Sequence, residues 1–173
     1  MCLPSKHNWM KKQTIRRGRE QVKKVHIFRS SMILPLDIRR VFQFFSDATN
    51  LERITPPELS FQIITPTPIP MEEGTVIDYR LQLFAFSFNW TAKICGWDPP
   101  FQFIDEQIRG PYRHWVHRHR FVDLNTMTRV TDEVRYSSPL WPLGETVFPL
   151  IHYLLIRIFR FRRRAIRTFF LGE

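Results

Sequence analysis

Two histidines separated by one residue, His117 and His119, and two aspartates, Asp105 and Asp132, are the side chains whose types and spacing could do chemistry in this chain. In an extended strand successive side chains alternate between faces. Trp115, His117, His119 and Phe121 therefore share one face, while His114, Val116, Arg118 and Arg120 share the other. The following arm repeats the pattern, with Val130, Asp132, Val134 and Tyr136 on one parity and Arg129, Thr131, Glu133 and Arg135 on the other. A carboxylate set on an apolar face must find a partner, and the nearest by hairpin pairing are the two imidazoles. A carboxylate that orients an imidazole can serve acid–base work on a bound ketone or enol. If the chain is an enzyme, His117, His119 and Asp132 are its catalytic residues. The preferred reading is milder: Asp105, His117, His119 and Asp132 contact the polar end of a ligand. No nucleophile arrangement accompanies them. Alternate strand positions can also present two imidazoles to one metal ion, but with a third ligand at an unfixed distance no metal is assigned, and no cofactor is expected.

These side chains are positioned by two hairpins. Gly110-Pro111 turns the segment 101–109 back on 113–122, and a polar loop at 123–126 leads into 128–136. A three-residue first turn pairs Gln107 with Trp115, Asp105 with His117 and Phe103 with His119. A two-residue turn puts Ile104 and Glu106 on that face instead. The three-residue register is the preferred one.

The remaining elements follow from periodicity. A first strand begins at Lys23 and runs through Arg29; Asp37 caps a helix whose stripe is Ile38, Val41, Phe42 and Phe45. A second short helix carries Ala48, Leu51 and Ile54 and stops at Pro56-Pro57. Phe61 and Ile63, followed by three spaced prolines, mark an edge strand. Ile77, Tyr79, Leu81 and Leu83 alternate with polar residues as a half-buried strand, and Phe88, Trp90, Ala92 and Ile94 form the next. Phe84-Ala85-Phe86 reads as a bend between them. After Gly144 a long helix presents Val147, Ile151, Leu154, Ile158, Phe161, Ala165 and Phe169 as one stripe, with the arginines on the opposite side. With 16 Phe, 5 Trp and 4 Tyr, the chain has more ring volume than a solid core of this size needs, so some rings line a cavity. Tyr79, Trp90, Trp115, Phe121, Tyr136 and Trp141 are the wall candidates.

The net charge of +10 is end-loaded. Residues 1–24 carry eight Lys/Arg against Glu20, and residues 145–173 carry six arginines against Glu145 and Glu173, leaving the middle near neutral. That distribution argues against nucleic-acid binding, because no reader motif occurs where the charge is low. The basic ends suit peripheral contact with anionic membrane, although a solvated face is the simpler reading. Residues 1–22 read as a basic, mobile extension and 23–171 as the domain. Two cysteines give no disulfide framework, and neither a secretory leader nor a span of apolar residues long enough for a membrane is visible, so the expected setting is cytoplasmic.

The order strand, two short helices, antiparallel meander and long C-terminal helix resembles the α+β helix-grip fold of the START-like, or SRPBCC, superfamily. PLDIRRVFQFFSDATNLERITPP (35–57), DEQIRGPYRHWVHRHRF (105–121) and DEVRYSSPLWPLG (132–144) are similar to a bacterial subgroup of it. The resemblance implies a curved sheet wrapped around the last helix, enclosing an apolar cavity. It also implies a hydrophobic small-molecule partner such as a lipid, isoprenoid or polyketide. The same superfamily holds carriers, sensors and enzymes, so the fold does not fix the activity.

Overall fold

A computed structural model describes residues 25–83, 86–138, 146 and 148–172. The sheet contains β1 (His26–Leu34), β2 (Gln62–Ile63), β3 (Val76–Leu83), β4 (Phe86–Asp98), β5 (Gln102–Arg109), β6 (His114–Asp123) and β7 (Thr128–Ser137). The helices are α1 (Ile38–Phe45), α2 (Asn50–Arg53) and α3 (Phe148–Leu171), with one 3-10 turn at Pro57–Leu59. The strands form one antiparallel sheet in the order β1-β7-β6-β5-β4-β3-β2, so the first strand closes on the last and the two-residue β2 sits at the far edge. This is the helix-grip arrangement, with the short helices after the first strand and α3 packed on the inner face of the sheet.

Local chemistry explains the elements. Asp37 accepts a hydrogen bond from the Arg39 amide at 2.8 Å, capping α1. Its apolar stripe of Ile38, Val41, Phe42 and Phe45 is buried, joined by Phe44. β1 runs on past Arg29 to Leu34 because Ser30 to Leu34 find ladder partners on β7, from Asp132 to Thr128. A strand ends where pairing ends, and that partner is not visible in local sequence. The start expected at Lys23, the domain boundary at residue 22, most of the bend at 84–86, and Trp141 lie outside the described residues.

The last helix departs from expectation in phase. Leu155, Phe159 and Ile166 are its buried residues, one step round from the expected stripe. Ile151, Leu154 and Ile158 instead flank the cavity, and Phe169 is 52% exposed. The line of Leu155, Phe159 and Ile166 passes through Arg162, so one arginine turns inward. Among the described residues no helix is long and apolar enough to cross a membrane.

Candidate functional site

Between α3, α1, α2 and the inner face of the sheet lies a cavity of about 370 Å³. The helices contribute Phe44, Phe45, Leu51, Leu154, Leu155 and Phe159 to its wall, and the sheet contributes Tyr79, Phe88, Trp90, Ile94, Phe103 and Trp115. A ring cluster closes one side: Trp90 and Trp115 meet edge to face at 5.1 Å, and Tyr112 lies 4.7 Å from Trp115. Gln107 holds Tyr112 there, donating to its carbonyl at 2.6 Å and accepting from its amide at 3.3 Å.

Two histidines and an aspartate line another part of the wall. Asp105 pairs with His117 and Phe103 with His119, which is the register of the three-residue turn. His119 stands opposite Asp132 in the β6–β7 ladder. Strand twist and pleat then bring both imidazoles between both carboxylates. His117 Nε2 is 3.1 Å from Asp132 Oδ1 and His119 Nε2 is 3.0 Å from Asp105 Oδ2. His117 Nδ1 lies 3.5 Å from Asp105 Oδ2. His119 Nδ1 lies 3.0 Å from Asp132 Oδ1 but off the direction of a hydrogen bond. Phe103 stacks on His119 with ring centres 4.2 Å apart, and the two imidazole centres are 3.9 Å apart.

The two carboxylates are not equivalent. Asp132 keeps 4% of its side-chain surface and lies behind the imidazoles, whereas Asp105 keeps 20% and lines the cavity. Burial alone would raise both carboxyl groups, but the adjacent histidines outweigh it and hold each below the ordinary carboxylate range. The imidazoles separate in the opposite sense. Burial, and then the charge of His119, pull His117 down despite its carboxylate neighbours. His119 is also disfavoured by burial, yet Asp105 and Asp132 together raise it. The cluster thus pushes the two imidazoles apart, His119 toward its protonated form and His117 toward its neutral one.

Arg162 completes the polar wall, and the sequence did not single it out. It lines the cavity, its guanidinium stands 5.0 Å from the Phe159 ring centre, and its Nε is shut off from solvent without a hydrogen bond. Burial lowers it, while Asp132, Asp105 and Tyr79 act in the other direction. Burial, reinforced by Asp105, raises the Tyr79 phenol, which stays a protonated donor. Seven-residue spacing from Leu155 was the available signal, because 155, 159, 162 and 166 step by helical intervals. It was masked by five neighbouring arginines.

Tyr79, Trp90, Asp105, Trp115, His117 and His119 are brought to one cavity. Phe121, Asp132 and Tyr136 are 2%, 3% and 0% exposed and stand behind that wall rather than on it.

Comparison with known proteins agrees with this architecture. Residues 34–158, more than half of the chain, match the family described as polyketide cyclase / dehydrase and lipid transport. No curated protein matches significantly. Among solved structures, the Zhui aromatase/cyclase from Streptomyces sp. R1128 is similar with a TM-score of 0.62 at 12% identity, covering 86% of this chain and 98% of that one. A START superfamily protein from Mycobacterium smegmatis gives 0.61 at 14% identity, covering 83% and 95%. A norcoclaurine synthase from Thalictrum gives 0.63 at 12% identity, covering 86% and 99%. At such identities these structures speak to fold, and the family match carries the assignment: this chain belongs to the polyketide cyclase/dehydrase and lipid-transport family of START-like proteins.

Proposed function

We propose that the protein binds a hydrophobic small molecule, of lipid, isoprenoid or polyketide type, without covalent chemistry, and carries it in the cytoplasm. The observation that carries this reading is the ring-lined cavity of about 370 Å³ with Asp105, His117, His119 and Arg162 on its wall. Such a cavity suits a greasy ligand with one polar end. Asp105 offers a carboxylate acceptor there, and Arg162, Tyr79 and His119 offer donors; Trp90, Trp115 and Phe88 enclose the apolar body. Asp132 acts through the imidazoles, fixing their orientation from behind. Exposed Arg160, Arg163 and Arg164 on the outer side of α3 support loading at an anionic membrane surface.

Native mass spectrometry of protein purified from its own host tests the reading. A retained apolar ligand of defined mass, reduced in a Leu154→Trp variant that fills the cavity, is the expected result. Protein that is empty and takes up no fatty-acid, isoprenoid or polyketide-like probe would sink it. A second reading is favoured by the Asp105–His119 contact facing the cavity: a cyclase- or dehydratase-type enzyme, with His117, His119 and Asp132 as its acid–base set. Turnover of a polyketone probe that disappears in His119→Ala, with binding retained, would select it.

A further inference from the structure

The ring of two imidazoles between two carboxylates has more contacts than protons to fill them. Four nitrogen–oxygen approaches lie within 3.5 Å, and two neutral imidazoles bring only two N–H groups. Two of the contacts lead to the same oxygen, Asp132 Oδ1, at 3.1 Å from His117 Nε2 and 3.0 Å from His119 Nδ1. If both N–H groups point back to that buried carboxylate, the lone pairs of His117 Nδ1 and His119 Nε2 point forward, toward Asp105 Oδ2. Three lone-pair-bearing atoms then converge at the cavity wall, all within 4.8 Å of one another.

We infer that Asp105, His117 and His119 form a cavity-facing site for one divalent first-row transition metal ion, with Asp132 behind it as the acceptor shared by both imidazoles. Metal–ligand bonds of about 2.0–2.1 Å place neighbouring donor atoms about 2.9 Å apart at right angles and about 3.4 Å apart in a tetrahedron. The separations from Asp105 Oδ2 are 3.0 Å to His119 Nε2 and 3.5 Å to His117 Nδ1, which match that range, and the two nitrogens lie within 4.8 Å of each other. A ligating histidine ordinarily donates its other N–H to a carboxylate or carbonyl; Asp132 takes that place for His117 at 3.1 Å, and a turn of the His119 ring lets Nδ1, 3.0 Å from the same oxygen, donate to it as well. The buried Nδ1 of His119, which makes no hydrogen bond in the metal-free arrangement, is the atom that carries the proton in the metal-bound tautomer.

Charge and access agree. Ligation requires both imidazoles neutral, and in that state two aspartates against Arg162 leave the cluster at −1 to balance the cation. Two nitrogens and one oxygen suit Zn²⁺, Fe²⁺ or Co²⁺ rather than Mg²⁺ or Ca²⁺. Three protein ligands leave coordination positions open toward the cavity, where an oxygen of a bound molecule can complete the shell.

Co²⁺ added to the chelator-treated full chain tests this through its visible spectrum, calorimetry and paramagnetic broadening of histidine ring signals. The expected result is one equivalent bound, with broadening at His117 and His119. Asp105→Asn and His119→Ala should each weaken binding at least about 100-fold, and Asp132→Asn about 10- to 100-fold. Absence of binding at millimolar Co²⁺, or broadening confined to His7, His26, His114 or His152, would overturn the site. The wild-type broadening pattern decides between these outcomes even if a variant fails to fold. Uptake of an apolar fluorescent probe by the same chelator-treated protein is read separately, so loss of the metal site and loss of the ligand cavity are distinguishable.

Discussion

The two halves of the sheet are built to different tolerances. β1, β7 and β6 pair without a slip along their whole lengths. β4 slips twice against β5, between Thr91 and Ala92 and again between Cys95 and Asp98, and β2 contributes only two residues at the edge. The chemistry-bearing side chains Asp132, His117 and His119 stand on the regular half, where an unbroken ladder fixes side-chain direction. The irregular half supplies the apolar wall of Trp90 and Phe88 together with the Tyr79 phenol. Asp105 sits at the junction, on the strand that slips against one neighbour and pairs cleanly around His117 with the other.

The difference can be broken most severely at Asp132. Asp132→Ala leaves two buried imidazoles without the carboxylate they both face and should cost about 3–5 kcal/mol of stability, as for other broken buried pairs. Denaturant unfolding of the chelator-treated protein measures it, and a loss below about 1 kcal/mol would show that the ring is not a structural unit. The acid side follows with a defined sign. Asp105 and Asp132 are both held below their ordinary value. Their contribution is therefore present above about pH 4 and lost as pH falls through their folded values. Melting temperature in metal-free buffer should drop steeply between about pH 4 and pH 2, and less steeply in Asp132→Asn.

On the helix that spans both halves, Ile166→Ala should cost about 2–5 kcal/mol because the side chain is fully buried. Phe169→Ala, at the exposed end of the expected stripe, should cost about 1 kcal/mol or less, the worth of its ring contacts with Phe44 and Phe170. Equal losses would restore the helix phase that periodicity alone suggests.

In the irregular half, Gly96 occupies the slip between Cys95 and Asp98 with φ +66, and an added Cβ would meet Ile104 Cδ1 at 3.0 Å. Gly96→Ala should cost about 1–2 kcal/mol through backbone strain. Apolar-probe affinity should change more than metal affinity, since the wall shifts and β6–β7 does not. The smallest effect belongs to Glu133, one residue from Asp132 but on the outer face with Arg29 and Arg135. Glu133→Ala should stay within about 1 kcal/mol, because its partner Arg29 keeps 64% of its side-chain surface and water screens the pair.

Periodicity made much of this legible. Alternation placed His117 and His119 with Trp115 and Phe121, and Asp132 with Val130 and Val134, because a strand has only two faces and the choice between them is written in local sequence. Turn chemistry at Gly110-Pro111 narrowed the hairpin to two registers. Sequence alone also determined that a long helix ends the chain and that rings exceed what a solid core needs. Tertiary structure decided the rest. It chose the register that sets Asp105 opposite His117, extended β1 to Leu34 by giving it β7 to pair with, and rotated α3 so that Arg162 faces in. A helix with apolar residues around much of its circumference has several nearly equivalent phases, and only the shape of the sheet beneath it selects one. The site has the same origin: its three ligand atoms converge from two strands because paired ladders twist, and that convergence has no signature in either strand taken alone.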